Sequence, residues 1–223
     1  MSIKKLRLAV LLGLGLGATS GAFAASSVDL SVVGTITPTA CDIQLSKASV
    51  ALGKISSSDL SATAVTELKS DKVDLTVTCN AAAMFTLATQ DGAPGTATDS
   101  GVTSFGVGKT SDDENIGYFS MRFDGSSLDA DGETVIGLAS QDKNTWTPAN
   151  TTPANGTGAV EGPALSHGPN FLAFGDAGTT APKNIEKLTG TLQVRTFVAP
   201  TDGLTLTNDV DLAGNATIEV VYL

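Results

Sequence analysis

The last ten residues, Gly214-Asn215-Ala216-Thr217-Ile218-Glu219-Val220-Val221-Tyr222-Leu223, decide how the rest of the chain is read. Ala216, Ile218, Val220 and Tyr222 alternate with Thr217, Glu219, Val221 and Leu223, the period of a β-strand. The first set is expected to face a core, although Val221 and Leu223 make the second set less polar than a solvated face requires. A strand with nothing after it leaves an edge that an earlier segment or another molecule must pair, or that stays open as an aggregation hazard.

The opposite end of the sequence offers a partner for that edge. Lys4, Lys5 and Arg7, the apolar run Leu8 to Ala18, and Ala22-Phe23-Ala24 read as a cleaved secretory leader over residues 1–24. Residues 25–38 then form a strand-capable arm. Val28, Leu30, Val32, Gly34 and Ile36 fall on one face, polar or small residues fall between them except at Val33, and Pro38 ends the run. Residues 39–223 are read as one domain.

Gly, Thr, Ala, Ser and Val dominate the composition, aromatic residues are 5% of it, and no long helix-period stretch is present. These features predict an all-β domain with many turns. The formal charge is −10, and loss of the leader's three cations makes the exported chain more acidic still, which argues against nucleic acid as a partner. Cys41 and Cys79 both lie in the exported part, where one disulfide is the expectation. A metal site on these cysteines would lack further ligands nearby, the single histidine being His167.

Between the ends, strands are expected over Cys41 to Leu45, Val50 to Ile55, Val73 to Cys79, Met84 to Ala88, Tyr118 to Phe123, Thr134 to Ala139, Phe171 to Phe174 and Leu188 to Val198. Ser56 to Ser70 reads as a polar link. In Val73 to Cys79 the apolar face includes Cys79, which would bury a bridge. Phe119, Met121 and Phe123 share one face; Tyr118, Ser120 and Arg122 share the other. Residues 141–168, rich in Asn, Thr, Pro and Gly, read as an irregular insertion of functional or mobile character. Short strands separated by turns suggest a sandwich. Trp146, the only tryptophan, falls in the irregular region, unlike the core tryptophan of antibody-type domains.

Gly108-Lys109-Thr110 has Thr103 where a phosphate loop needs glycine. Asp129, Asp131 and Gly132 resemble part of a calcium loop, with Asp124 as a further weak ligand, but Leu138 stands where an acid is required. Asn150, Asn155 and Asn215 begin glycosylation triplets, the last inside the terminal strand. Ser166-His167 lacks the surroundings of a nucleophile and its base, and His167 reads as an exposed loop residue. No enzyme activity, cofactor or metal is expected.

Taken together, the leader, the arm with Gly34 at its fourth inward position, the Cys41-Asp42-Ile43 start, the strand closing on Cys79 and the ending with Tyr222 penultimate resemble pilin subunits of the chaperone–usher pathway. More narrowly, Gly34 to Cys41, Phe105-Gly106-Val107-Gly108 and the ending are similar to a fimbrial-like exported family of unknown function that includes GltF. The resemblance covers both ends of the exported chain well and the middle poorly. It implies an immunoglobulin-like, pilin-type β-sandwich lacking its final strand. It implies a groove beside Ala216, Ile218, Val220 and Tyr222, filled first by a periplasmic chaperone and then by the arm of a neighbouring subunit at an outer-membrane usher. The product would be a cell-surface fimbrium used in adhesion. Two departures stand out: Val210 occupies the position fourteen from the end where such subunits commonly carry glycine, with Gly214 four residues later, and the chain is longer than a typical major pilin. A soluble periplasmic binding or regulatory protein, whose arm completes its own sandwich and whose 141–168 region contacts a ligand, is the alternative.

Overall fold

The structure, a computed structural model, describes residues 30–35, 39–149 and 161–223. The chain divides into two units, Met1–Thr37 and Pro38–Leu223. The expected leader, Val28 and Ile36 lie outside the described residues, as does the middle of the 141–168 region. Of the first unit, residues 30–35 adopt no regular secondary structure, and Leu30, Val32 and Val33 are 90%, 91% and 88% exposed.

The second unit is an all-β sandwich, as expected. Its strands are β1 (Cys41–Leu45), β2 (Thr66–Glu67), β3 (Asp71–Ala83), β4 (Phe85–Asp91), β5 (Phe105–Gly106), β6 (Gly117–Asp124), β7 (Asp129–Ala130), β8 (Glu133–Thr134), β9 (Ile136–Ser140), β10 (Thr147–Pro148), β11 (Glu161–Ala164), β12 (Phe171–Gly175), β13 (Ile185–Val198) and β14 (Ala216–Tyr222). The first sheet runs β1-β3-β13-β6-β11, with the short strands β2, β5, β7 and β8 attached; the second runs β10-β9-β12-β4-β14. All named strand pairs are antiparallel.

Period-2 alternation places the core. Val73, Leu75, Val77 and Cys79 of β3, Phe119, Met121 and Phe123 of β6, and Leu188 and Leu192 of β13 are buried on the inner face of the first sheet. Phe85, Leu87, Leu172 and Phe174 face them from the second. Fully burying side chains of this size stabilises the fold by about 1.5–3 kcal/mol each. The rings of Phe123 and Phe174 meet edge-on across the two sheets, centroids 6.0 Å apart.

Three expectations need correction. Val50 to Ile55 is not a strand: residues 47–56 lie outside every ladder. Val50, Leu52 and Ile55 do not keep a period of two, and no backbone hydrogen bond pairs the stretch with a strand among the described residues. The strand expected over Thr134 to Ala139 is split, because Glu133–Thr134 pairs with β7 in one sheet and Ile136–Ser140 pairs with β12 in the other. The described ends of the region 141–168 are less irregular than their composition suggests. They contribute β10 and β11, and Trp146 is buried against Leu138 and Ala173, closing a small second core.

Candidate functional site

The site grows from two sheet edges that no strand closes among the described residues. In β14, the Asn215 carbonyl accepts from Gly92 N–H at 3.0 Å and the Leu223 N–H donates to the Met84 carbonyl at 3.1 Å. Odd-numbered residues therefore face β4, and the backbone N–H and C=O groups of Ala216, Ile218, Val220 and Tyr222 lie along the outer edge. That edge has no strand beside it among the described residues. The side chains of Ala216, Ile218 and Val220 point inwards as expected and pack on the core, but they are half-buried instead of buried.

Opposite this edge, β1 is held to β3 as far as Leu45, and the chain then leaves the ladder. The Ser46 N–H donates to the Asp74 carbonyl at 2.8 Å, the Asp74 N–H donates to Ser46 Oγ at 2.9 Å, and Lys47 Nζ meets Asp71 Oδ2 at 2.5 Å. The ammonium of Lys47 and the Lys72 N–H hold the Asp71 carboxyl below its usual range. Among the described residues, no backbone hydrogen bond ties residues 47–55 to any strand.

A groove lies between these two edges. Its first part, about 270 Å³, runs between Leu45 to Leu52 on one rim and Leu212 to Ile218 on the other, over a floor of Val73, Val107, Phe119, Met121, Leu192 and Val194. Its second part, about 550 Å³, shares Val50, Leu52 and Leu212 with the first and continues towards Leu60, Ile116, Val198 and Leu204. The floor is the inner face of the first sheet, so the groove opens directly onto the core.

Four local devices shape it. At one end Tyr222 Oη accepts from the Cys41 N–H at 2.7 Å, tying β14 to β1 across the sandwich. Beside it Cys41 and Cys79, directly opposed in the β1–β3 ladder, form the expected disulfide, with S–S 2.03 Å. At the other end the Glu114 carboxylate accepts from the Thr205 N–H at 2.6 Å, from Thr205 Oγ1 at 3.1 Å and from Thr110 Oγ1 at 2.9 Å, which fixes the segment 204–215 as it crosses between the sheets. The Thr205 N–H, with the two hydroxyls, holds the Glu114 carboxyl below its usual range. Between these ends, Gly214 passes so close to the core that a Cβ there would sit 2.8 Å from the Gly106 carbonyl oxygen and 2.9 Å from the Phe119 ring. Glycine is required at 214 by this approach. Val210 packs on the core as a partly buried apolar residue.

The structure brings the cysteine pair and the β14 residues together at one end of the groove. Leu30, Val32 and Gly34 belong to the other unit, and no Cβ neighbour is found within 4 Å of Gly34. Sequence reading missed the Ser46–Lys47 departure from the ladder and the Glu114–Thr205 anchor. Neither has periodicity, although Thr110 and Glu114 are four apart in a turn-rich stretch.

The remaining motifs have structural roles. Asp131 accepts from the Glu186 and Lys187 N–H groups, Asp129 from Gly132, and Asp124 from Ser126. No group of three or more potential metal ligands occurs among the described residues. Lys109 pairs with Asp113 at 2.8 Å in a tight turn, and Gly108 takes φ +95°. His167 is not an exposed loop residue: it is half-buried, edge-on to the Phe105 ring with centroids 5.4 Å apart, because its N–H is bonded to the Val102 carbonyl. Asn150 and Asn155 lie outside the described residues.

Residues 30–104 are similar to a family described as protein of unknown function (DUF1120). That stretch takes in the described arm residues, both cysteines, one rim of the groove and strands β1 to β4. No curated protein matches the chain.

Proposed function

We propose that the protein is a structural fimbrial subunit. Its groove receives first a strand from a periplasmic chaperone and then, at an outer-membrane usher, the N-terminal arm of a neighbouring copy. The single observation that carries this reading is the outer edge of β14, unpaired among the described residues, facing the unladdered segment 47–55 across an apolar floor. An added strand would satisfy the free backbone groups of Ala216, Ile218, Val220 and Tyr222, while alternate side chains entered the groove. The arm has the matching character: Val28, Leu30, Val32 and Ile36 on one face, with Gly34 where a shallow pocket would need close backbone approach.

Burying about four such side chains at roughly 2 kcal/mol each is a gross gain near 8 kcal/mol, before the cost of ordering the arm. Each copy carries one arm and one groove, so the contact is head-to-tail and the assembly is open. The localisation that follows is export, periplasmic transit and display at the cell surface.

The test is size-exclusion chromatography of the exported protein, with and without a co-expressed periplasmic pilus chaperone. A stable 1:1 complex, giving heat-sensitive multimers once the chaperone is lost, is the expected outcome. A well-folded lone monomer under both conditions would overturn the reading in favour of a soluble periplasmic binding protein that completes its own sheet.

A further inference from the structure

A second cavity, of about 580 Å³, lies away from the groove, where β4, β9 and β12 meet the chain that follows β11. Its size falls in the range of small-molecule sites. Leu87, Leu172 and Ala139 are direct cross-strand neighbours and form an apolar wall on one face of the second sheet. Thr89 follows Leu87 on that face. It is 2% exposed, and its Oγ1 is the one buried side-chain oxygen or nitrogen without a hydrogen-bond partner among the described residues. Native folds rarely leave such a group unmatched, and a bound molecule is one of the few explanations for it.

The remaining polar lining includes groups that both donate and accept, the Ser166 hydroxyl and the amides of Gln141 and Asn170, while the Ser140 hydroxyl is already committed to Asp142 and the Lys143 N–H. Gln141 Nε2 donates to Asn170 Oδ1 at 3.3 Å, and Asn170 Nδ2 donates to the His167 carbonyl at 2.7 Å, so the two amides hold each other in fixed orientation. Among the described residues no lysine or arginine lines the cavity, and the one ionisable group lining it is Asp142. The Thr145 and Asn144 N–H groups keep that carboxyl ionised down to a pKa of about 2.

These features select among ligand classes. An anion would meet the Asp142 carboxylate with no compensating cation. A simple cation would leave the amide and hydroxyl donors unused. An apolar molecule would leave the Thr89 hydroxyl without a partner. We propose that this cavity binds a neutral, hydroxyl-rich small molecule of the saccharide class, seated on the Leu87–Leu172 wall, with hydrogen bonds from Thr89, Gln141 and Asn170. The site is separate from the groove, so it stands or falls independently of fimbrial assembly.

The test is an NMR titration of the full exported chain, isotopically labelled, with D-glucose, D-mannose, D-galactose and N-acetyl-D-glucosamine, and with putrescine and D-glucuronate as the cationic and anionic comparisons. At least one neutral sugar is expected to shift the amide signals of Thr89, Gln141 and Asn170 saturably. Thr89→Val keeps the shape of the side chain and removes the unmatched hydroxyl. It should weaken that binding by about tenfold while leaving the melting temperature unchanged or raised. Should Thr89→Val not fold, Gln141→Ala, at an exposed position, carries the same expected loss of binding. The proposal is overturned if no neutral sugar shifts these amides at tens of millimolar, if only putrescine or glucuronate does so, or if sugar binding by the folded variants equals that of the natural chain.

Discussion

Replacing Leu30 and Val32 together by aspartate separates assembly from folding. Both side chains are about nine-tenths exposed, so within one chain they contribute almost nothing to stability. L30D/V32D should therefore leave the melting temperature of the monomer within a degree or two. In a neighbour's groove the same two side chains would each contribute roughly 2 kcal/mol of apolar burial, so their loss removes about 4 kcal/mol. At 1.4 kcal/mol per factor of ten, that is a weakening of about a thousandfold, before the further cost of placing two carboxylates on the floor formed by Val73, Phe119 and Met121. The assay pairs thermal unfolding of the purified monomer with gel analysis of heat-sensitive multimers from periplasmic extracts. Unchanged multimers would refute the arm's role. A fall of many degrees in the monomer's melting temperature would refute it differently, by showing that Leu30 and Val32 are buried within their own chain.

The remaining expectations concern the frame around the groove. Cys41→Ala with Cys79→Ala opens a bridge of sequence separation 38 and should cost about 2–5 kcal/mol in urea unfolding; an unchanged midpoint would show that the bridge contributes nothing to stability. Gly214→Ala forces a Cβ against the Gly106 carbonyl and Phe119 and should destabilise by about 1–3 kcal/mol; unaltered stability would mean the 204–215 segment yields freely. Asp142 has a folded pKa of about 2, lowered from 3.8, so the stability it contributes is present above pH 3.8 and is lost as pH falls towards 2. Glu114, lowered from 4.5, behaves in the same sense, its contribution being present above pH 4.5 and lost below. Asp142→Asn should therefore flatten the acid limb of melting temperature against pH, and an acid limb as steep as that of the natural chain would count against this origin.

The strand alternation of β3, β6, β13 and β14 was legible because each has one face on the core and one outside, so the side-chain period states the answer directly. Cys79 falls on the buried face of such a strand, and the compartment expected from the leader points to a disulfide; the pairing with Cys41 follows from there being only two cysteines. Short strands that exchange between sheets were not legible, since Glu133–Thr134 and Ile136–Ser140 are nearly contiguous and have no distinguishing composition.

By itself, then, the sequence determined the class of fold, the position of the core, the cross-link and the inward placement of Ala216, Ile218 and Val220, all of which follow from local periodicity and residue chemistry; Tyr222, expected to face inwards with them, is 47% exposed. Only the tertiary structure decided that β14 has no strand on its outer side among the described residues, that Val50 to Ile55 runs outside every ladder, and that Glu114, 91 residues earlier in the chain, anchors Thr205 beside the groove. Whether a strand has a neighbour depends on where residues distant in the chain place their backbone hydrogen bonds, and no period of two or of 3.6 carries that information. The same holds for the second cavity, where Leu87, Ala139 and Leu172 become one wall only because three strands lie side by side in a shared register.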